Sequence, residues 1–431
     1  MKRVMALLAF GLWTIPAFGA SPDPKDLAIP PQEISKAREL IRRLGSEVYR
    51  EREEAQSDLA KMGRLARPAL LEAATGDPDP EVRFRCSRLL PKAGAEDLKA
   101  RVETFLADTE SKYEHNLPGL KQFRKITGTD KESRDLFVEI IKSPSSLELL
   151  QMLDKPPAEA GRAISDRRMV MWSVVQPRNF GRIQPQQQVP IAEIACLLLA
   201  ETAIPSKDIP RNNMWNHISG VMFVIQENSL TAINKSSTPH SEAYKRIIGR
   251  WLDSREDPMD LTNLAYYLGQ NLRGFKETVP LLRRIVTTEG VVGYARAQAL
   301  TQLIHQQQGQ EEIDLHKSLM SNDTVATTIF FGNIPAPNQM PRQLQCLLRD
   351  VALANLIAHS GQQLSDYGYQ FVNGATQNGK TINFGFYAFP NEETRNAAMV
   401  KFAFSRMKQV GKEPTATSPP TPSPDPSTPK K

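Results

Sequence analysis

The chain has few of the residues that hold a covalent framework or bind a metal. It contains 3 cysteines and 6 histidines in 431 residues. Cys86, Cys196 and Cys346 are odd in number and far apart, so a disulfide framework is not expected, and we interpret them as buried free thiols. The histidines never approach the spacing of metal ligands. We therefore predict no metal site.

Local signatures of catalysis are also missing. The sequence has no Gly-x-Ser-x-Gly elbow, no Gly-rich phosphate loop, no His-Glu-x-x-His and no Cys-x-x-Cys-His. Carboxylate pairs such as Glu53 with Glu54 lie on charged helix faces or in first turns. We predict a protein that is not an enzyme, with no catalytic or cofactor-binding residues and no cofactor. An active site assembled from distant residues would be invisible to this search.

Charge of one sign is not in excess either. The formal net charge of +6 becomes +4 if Lys2 and Arg3 are lost with a leader. In residues 34–110, fifteen basic residues are matched by fifteen acidic ones. Mixed charge of this kind is typical of solvated helix faces, so we expect no nucleic-acid partner.

The first twenty residues have the pattern of a secretory signal peptide. A positively charged start is followed by an apolar stretch from Val4 to Phe18 and by small residues up to Ala20. The apolar stretch is shorter than the ~20 residues that a membrane span needs, although an uncleaved anchor is the alternative. We predict export to a bacterial periplasm or beyond, cleavage before Ala20 or Ser21, and no stable membrane span after cleavage.

A short pattern, Arg-x-x-(Ala/Cys)-x-x-x-(Leu/Phe), recurs with helical spacing. Its small and large residues share one helical stripe, so a small side chain lets neighbouring backbones approach. The recurrence predicts stacked helix pairs in which the arginines bind carbonyl or carboxylate groups near a helix start. The five copies are Arg52/Ala55/Leu59, Arg83/Cys86/Leu90, Arg296/Ala299/Leu303, Arg349/Ala352/Leu356 and Arg395/Ala398/Phe402.

The turn from Gly76 to Pro80 gives the best-specified helix start. We expect Asp79 to cap the helix and Pro80 to fill its first position, where the missing N–H costs nothing. Further helices are predicted on either side, at 67–75 and at 96–107. The segment therefore predicts two successive helix pairs.

The stretch from Asp77 to Leu90, DPDPEVRFRCSRLL, resembles the HEAT-like repeat family, whose helix pairs carry an Asp- and Pro-containing turn, then Val-Arg, then a small residue. The first copy departs from that pattern, with Glu51 where Val82 stands. The layout also resembles secreted HEAT-like proteins of environmental bacteria. The resemblance implies an all-α, right-handed α-solenoid of helix pairs and no catalytic residues. It covers 45–107 well, 291–304 and 344–358 fairly, and 391–408 weakly.

Helical periodicity continues through the middle of the chain, where an inserted helical domain is the alternative to degenerate repeats. The helices predicted there are 131–142, 145–153, 190–203, 216–227, 241–253, 260–271 and 276–287. The predicted layout is a signal peptide (1–20), a linker (21–33), HEAT-like repeats (34–110), degenerate helical repeats with loop insertions (111–290), HEAT-like repeats with a small β element (291–410) and a disordered Pro-rich tail (411–431).

A different period appears near the C-terminal end. Two alternating runs flank Asn378 and Gly379, a pair that favours a hairpin turn, so we predict a small β-hairpin or ordered loop. Its aromatic residues would fill the end of the helical core or, as an alternative, form a stacking platform for sugars. The alternating residues are Tyr367, Tyr369, Phe371, Ile382, Phe384 and Phe386.

These features predict an exported, non-catalytic scaffold that binds a protein or a cell-envelope polymer through a curved helical surface. The contacts are expected on inner helices and on the loops 176–190 and 322–341. The alternative is an envelope enzyme or enzyme subunit with its site in the middle helical region, which clustered His, Asp and Glu in one pocket would favour. A third possibility is a structural spacer.

Overall fold

The chain is mostly helical, as expected, with one two-stranded sheet among its described residues. It divides into two compact units, residues 1–212 with 226–248 (unit 1) and residues 213–225 with 249–431 (unit 2). No helix of the described part is long and apolar enough to cross a membrane. The computed structural model describes residues 22–175, 188–210, 219–235, 238–272, 274–306, 309–330, 343–370 and 384–410.

Five segments with predictions lie partly or wholly outside those ranges. They are the leader, the Pro-rich tail, most of the loops 176–190 and 322–341, and the hairpin turn at Asn378 and Gly379.

Unit 1 is built from helices joined by short turns. The helices are α1 (Pro31–Leu44), α2 (Tyr49–Met62), α3 (Arg67–Gly76), α4 (Pro80–Ala107), α5 (Leu120–Thr127), α6 (Lys131–Lys142), α7 (Pro144–Met152), α8 (Pro157–Val175), α9 (Ile191–Ala203), α11 (Glu227–Asn234) and the first part of α12 (Ser241–Asp253), which continues into unit 2; α10 (Val221–Val224) belongs to unit 2.

The first four helices pack as two adjoining pairs. α1 contacts α2, α3 contacts α4, and contacts of α1 with α3 and of α2 with α4 join the pairs. Small and aliphatic side chains fill the space between them, so burial of apolar area holds the pairs together. The largest side chains buried between these helices are Leu44, Leu59 and Leu70, which are almost fully buried together with Ala55 and Cys86.

Helix α4 begins as predicted but ends later. The Asp79 carboxylate accepts a hydrogen bond from the Glu81 N–H at 2.8 Å, and Pro80 fills the first helical position. The helix then continues through Pro91 for 28 residues, so the separate helix predicted at 96–107 is wrong. Helix α4 packs against α3 and against the 3₁₀ turn Gly63–Ala66. These contacts stabilise the helix by more than it loses through the hydrogen bond that Pro91 removes.

Most helices predicted in the middle region are confirmed to within two residues. They are α6, α7, α9, α12, α13 (Pro258–Asn271) and α14 (Thr278–Thr287). The helix predicted at 216–227 is wrong in its described part. There the short α10 ends before Gln226, whose extended backbone, with a ψ of 151°, separates it from α11. Helices α5, α8 and α11 were not predicted.

Unit 2 combines helices with the sheet. Strand β1 (Val325–Phe330) pairs with β2 (Gln343–Leu347) in antiparallel register. The helices after α12 are α13 (Pro258–Asn271), α14 (Thr278–Thr287), α15 (Gly293–Gln306), α16 (Gln310–Ser318), α17 (Leu348–His359) and α18 (Glu392–Val410).

The described residues on either side of the predicted hairpin, up to 370 and from 384, do not form strands. Tyr367 ends one 3₁₀ helix and Phe384 begins another. Between Tyr367 and Tyr369, Gly368 has a φ of 81°, which interrupts an extended backbone. All three aromatic residues are buried, and the rings of Tyr369 and Phe389 lie 4.5 Å apart. These side chains fill the core, whereas Phe371 and Ile382 lie outside the described residues.

Candidate functional site

The small residues of the repeat pattern are core residues. All five are at most 2% exposed, so none can contact a ligand. Their neighbours on the same stripe are buried too, apart from the half-buried Leu90. The five are Ala55, Cys86, Ala299, Ala352 and Ala398.

The first two repeat arginines bind the turns in front of their own helices. Arg83 Nη1 donates to the carbonyl oxygens of Asp77 at 2.7 Å and Pro78 at 3.0 Å. Arg52 makes the same two bonds, to the carbonyls six and five residues before it, at 2.8 and 3.1 Å. The predicted bond from Arg83 to the start of its own helix is thus present, and Arg52, 31 residues earlier in the sequence, makes the matching bonds.

The next two arginines contact other kinds of group. Arg296 Nε donates to the Val286 carbonyl at the end of α14, at 2.7 Å. Arg349 bridges Asp323 at 3.0 Å and Glu392 at 2.7 Å. The fifth, Arg395, is buried against Asp350. A shared sequence position therefore does not give the arginines a shared role.

Replacing Arg83 with alanine should lower the stability of unit 1 by about 1–2 kcal/mol, because two turn carbonyls lose a charged donor. Thermal unfolding of the full chain measures the effect. Arg88→Ala is the matched control on the same helix, since Arg88 is exposed and contacts only the ring of Phe84 among the interactions described. Equal melting temperatures for the two variants would contradict the structural role of Arg83.

A polar groove of about 840 Å³ lies along one side of unit 1. Its walls are the start of α3, the second half of α4, the turn 116–119, the start of α5 and the end of α7. The charged residues that line it are Arg67, Asp97, Arg101, Lys121 and Asp154. A second groove of about 650 Å³ lies between α1 and α3.

Asp97 holds two arginines at the rim of the 840 Å³ groove, which we call the unit 1 groove. The Asp97 carboxylate is largely buried and is paired with Arg101 and, at 3.6 Å, with Arg67. The two arginine side chains are still 29% and 39% exposed. Guanidinium groups with exposed edges favour carboxylate and carbonyl ligands, which they bind through paired N–H donors.

The turn that forms one wall of this groove is fixed by a buried pair. His115 Nε2 lies 2.9 Å from Asp108 Oδ2, and the carboxylate also accepts the N–H groups of Lys112 and Tyr113 at 3.0 Å each. Burial alone would raise the pKa of Asp108, but the His115 ring and the two N–H groups outweigh it and lower that pKa. We interpret the pair as a structural clamp on the turn that follows α4.

Sequence analysis predicted none of the groove residues. Arg67, Arg101 and Lys121 come from three helices, and no motif connects them. The only signal is the mixed charge of residues 34–110, which equally describes solvated helix faces. Their side chains converge because α3 packs against α4 and the start of α5 lines the same groove.

All three cysteines are buried and unpaired. Burial raises the pKa of Cys86 to about 11 and that of Cys196 to about 12, and it raises the pKa of Cys346 well above the ordinary thiol value. At neutral pH the reactive thiolate is therefore scarce.

We expect a thiol reagent to label none of the three cysteines until the protein unfolds. Cys86→Ser should also destabilise unit 1 by about 1 kcal/mol or more, because a hydroxyl enters an apolar helix interface. Labelling followed by mass spectrometry, with and without denaturant, measures accessibility site by site. Fast labelling of Cys86 in the native protein would show that its helix faces solvent.

We expect His316 to make the stability of unit 2 depend on pH. Burial lowers the pKa of His316, although the hydrogen bond of Nδ1 to the Glu312 carbonyl, 2.6 Å long, acts in the opposite direction. Below its ordinary pKa of about 6.5, the unfolded chain takes up a proton that the folded chain resists, so stability is lost as the pH falls.

Urea unfolding at pH 7.5 and at pH 5.5 should therefore show a larger acid loss for the natural chain than for His316→Gln, which cannot take up that proton. An identical loss in both proteins would mean that His316 titrates alike in the folded and unfolded states.

Among the described residues, no three His, Cys, Asp or Glu side chains lie together so as to hold a metal ion. No protein-family model, curated protein or solved structure matches this chain. Its function is therefore inferred from its own surfaces.

Proposed function

We propose that the protein is an exported, non-catalytic interaction scaffold, built as a right-handed solenoid of HEAT-like helix pairs, that binds a protein partner in the unit 1 groove. The observation that carries the proposal is the pair of exposed guanidinium edges, Arg67 and Arg101, held by one buried carboxylate at the rim of an 840 Å³ groove. The signal-peptide pattern supports export.

The groove suits an extended peptide segment. Two small residues of α4, Gly94 and Ala95, are part of its lining and allow a backbone to approach closely. The exposed Lys121 also lines the groove and adds a third cation, while Asp154 adds a carboxylate. A segment with backbone carbonyls and at least one carboxylate would match this arrangement of donors.

The titratable groups at the C-terminal end of α4 have structural partners. Asp108 is bonded to His115 and to two backbone N–H groups. Arg134 donates to the carbonyls of Phe105 and Leu106 at the end of α4, each at 2.7 Å. These contacts support a rigid binding surface, which lowers the entropic cost of association.

Photo-crosslinking tests the proposal in the cells that produce the protein. A photoreactive residue at Gln122, on the groove wall, should join the full-length protein to one reproducible partner through an acidic segment of that partner. The control position is Arg50, whose side chain is 87% exposed on α2 and away from the groove. Lys121→Glu should abolish the crosslink without changing the melting temperature.

Two results would contradict the proposal that the protein is an interaction scaffold. One is a crosslink of equal yield from Arg50 and from Gln122. The other is turnover of a substrate by the purified mature protein, abolished by a single carboxylate or histidine replacement that leaves it folded. That second result would favour the enzyme alternative.

A further inference from the structure

Two tyrosines of unit 2 form an exposed stack. Tyr266 on α13 and Tyr294 at the start of α15 are 41% and 38% exposed. Their ring centroids lie 5.4 Å apart with an angle of 20° between the planes. Phe384 packs against Tyr294 at 4.7 Å and is itself buried. The stack is thus anchored in the core on one side and open to solvent on the other.

The two helices that carry the stack are almost free of charge. Together they span 28 residues, 14 in each, in a chain that is 24% charged. Leaving the tyrosines aside, the two helices contain three ionisable residues: Asp260, Arg296 and His305. Asp260 is buried beside Arg255, and Arg296 donates to the Val286 carbonyl. Neither charge is placed to attract an ionic ligand.

Amide side chains lie beside the rings. Gln298 follows Tyr294 by four residues and Asn263 precedes Tyr266 by three, so each shares a helix face with its tyrosine. Gln302, one turn further along α15, faces α13, because its Nε2 donates to the Ala265 carbonyl at 3.4 Å.

Each of these amides has one buried polar atom without a hydrogen-bond partner in the described part of the chain: Gln298 Oε1, Gln302 Oε1 and Asn263 Nδ2. Two acceptors and one donor are therefore unsatisfied next to the stack. These atoms have almost no accessible surface, so a ligand hydroxyl would reach them only after the amide side chains rotate outward, and that rotation would give the atoms the hydrogen-bond partners they lack.

We propose that this face, formed by α13 and α15, binds an uncharged oligosaccharide. The apolar C–H face of a sugar ring stacks on the open side of Tyr266, and the sugar hydroxyls hydrogen-bond to the tyrosine hydroxyls and the amide groups. An acidic sugar would lose hydration without gaining a cationic partner, so the site selects neutral ligands. The site lies in unit 2 and goes beyond the peptide groove proposed for unit 1.

Isothermal titration of the purified mature protein tests the proposal, with chitohexaose and cellohexaose as neutral probes and hexagalacturonate as the acidic counterpart. At least one neutral hexamer should bind and hexagalacturonate should not. Tyr266→Ala and Tyr294→Ala should each weaken binding about tenfold, whereas Tyr266→Phe, which keeps the ring, should stay within about threefold. Tyr49→Ala, at a tyrosine of α2 that is 65% exposed, is the matched control and should leave binding unchanged.

The proposal is overturned if neither neutral hexamer binds, if hexagalacturonate binds more tightly, or if the alanine variants at 266 and 294 bind like Tyr49→Ala. It is also overturned if a photoreactive residue at position 266 captures a protein while neither neutral hexamer binds. The crosslink from Gln122 does not depend on any of these results, so failure of this site and failure of the unit 1 groove are distinguishable.

Discussion

Replacing Asp350 with alanine should destabilise unit 2 by about 3–5 kcal/mol, because the buried Arg395 would keep only the exposed Glu392 as a carboxylate partner. Arg395 Nε and Nη2 donate to the two carboxylate oxygens at 2.7 and 3.1 Å, and the Leu347 N–H donates to one of them at 2.9 Å. Asp350 is fully buried and Arg395 is only 6% exposed. Burial raises the pKa of Asp350 in spite of Arg395, so desolvation offsets much of the attraction.

Urea unfolding of the full chain measures this loss. The double variant Asp350→Asn with Arg395→Gln should cost less than Asp350→Ala alone, because it leaves no unpaired charge in the core. Arg38→Ala serves as the control. It breaks an exposed pair with Glu72 and should change stability by no more than about 1 kcal/mol. A cost for Asp350→Ala that is no larger than that of Arg38→Ala would refute the role given to the pair.

The second large effect is expected for Gly161→Ala in α8 of unit 1. A Cβ atom at this position would lie 1.9 Å from the carbonyl oxygen of Asp208. Relief requires a shift of one backbone against another, so we expect a loss of about 2–3 kcal/mol in the free energy of unfolding. The close approach of α8 to the 3₁₀ turn Ser206–Asp208 thus depends on the missing side chain.

Gly94→Ala is the matched control, since Gly94 is also helical. The nearest atom to its added Cβ, on the Arg67 side chain, lies 4.0 Å away. Alanine has the higher helix propensity, so this variant should be more stable by about 0.5–1 kcal/mol. Chemical denaturation of both variants measures the change in the free energy of unfolding. A gain of stability in Gly161→Ala would show that the backbones of α8 and of the turn Ser206–Asp208 are far enough apart to admit a Cβ atom.

Predictions that depend on local chemistry were confirmed by the structure. The cap by Asp79, the proline at the first position of α4 and the bond from Arg83 to its own turn involve residues within six positions of each other, and their geometry follows from the chain itself. The burial of Cys86 also follows from the helical period, because a small residue on an apolar stripe faces a neighbouring helix.

The sequence by itself thus determined the helical class, most helix positions, the capped start of α4 and the core positions of the repeat pattern. Only the tertiary structure decided that α4 continues through Pro91, that Asp350 meets an arginine 45 residues away, and that Tyr266 and Tyr294 stack. It also brought the cations of the unit 1 groove together. The physical reason is that caps and periods are set by neighbours in the chain, whereas grooves, buried ion pairs and ring stacks are set by which helices pack together, and no local pattern records that choice.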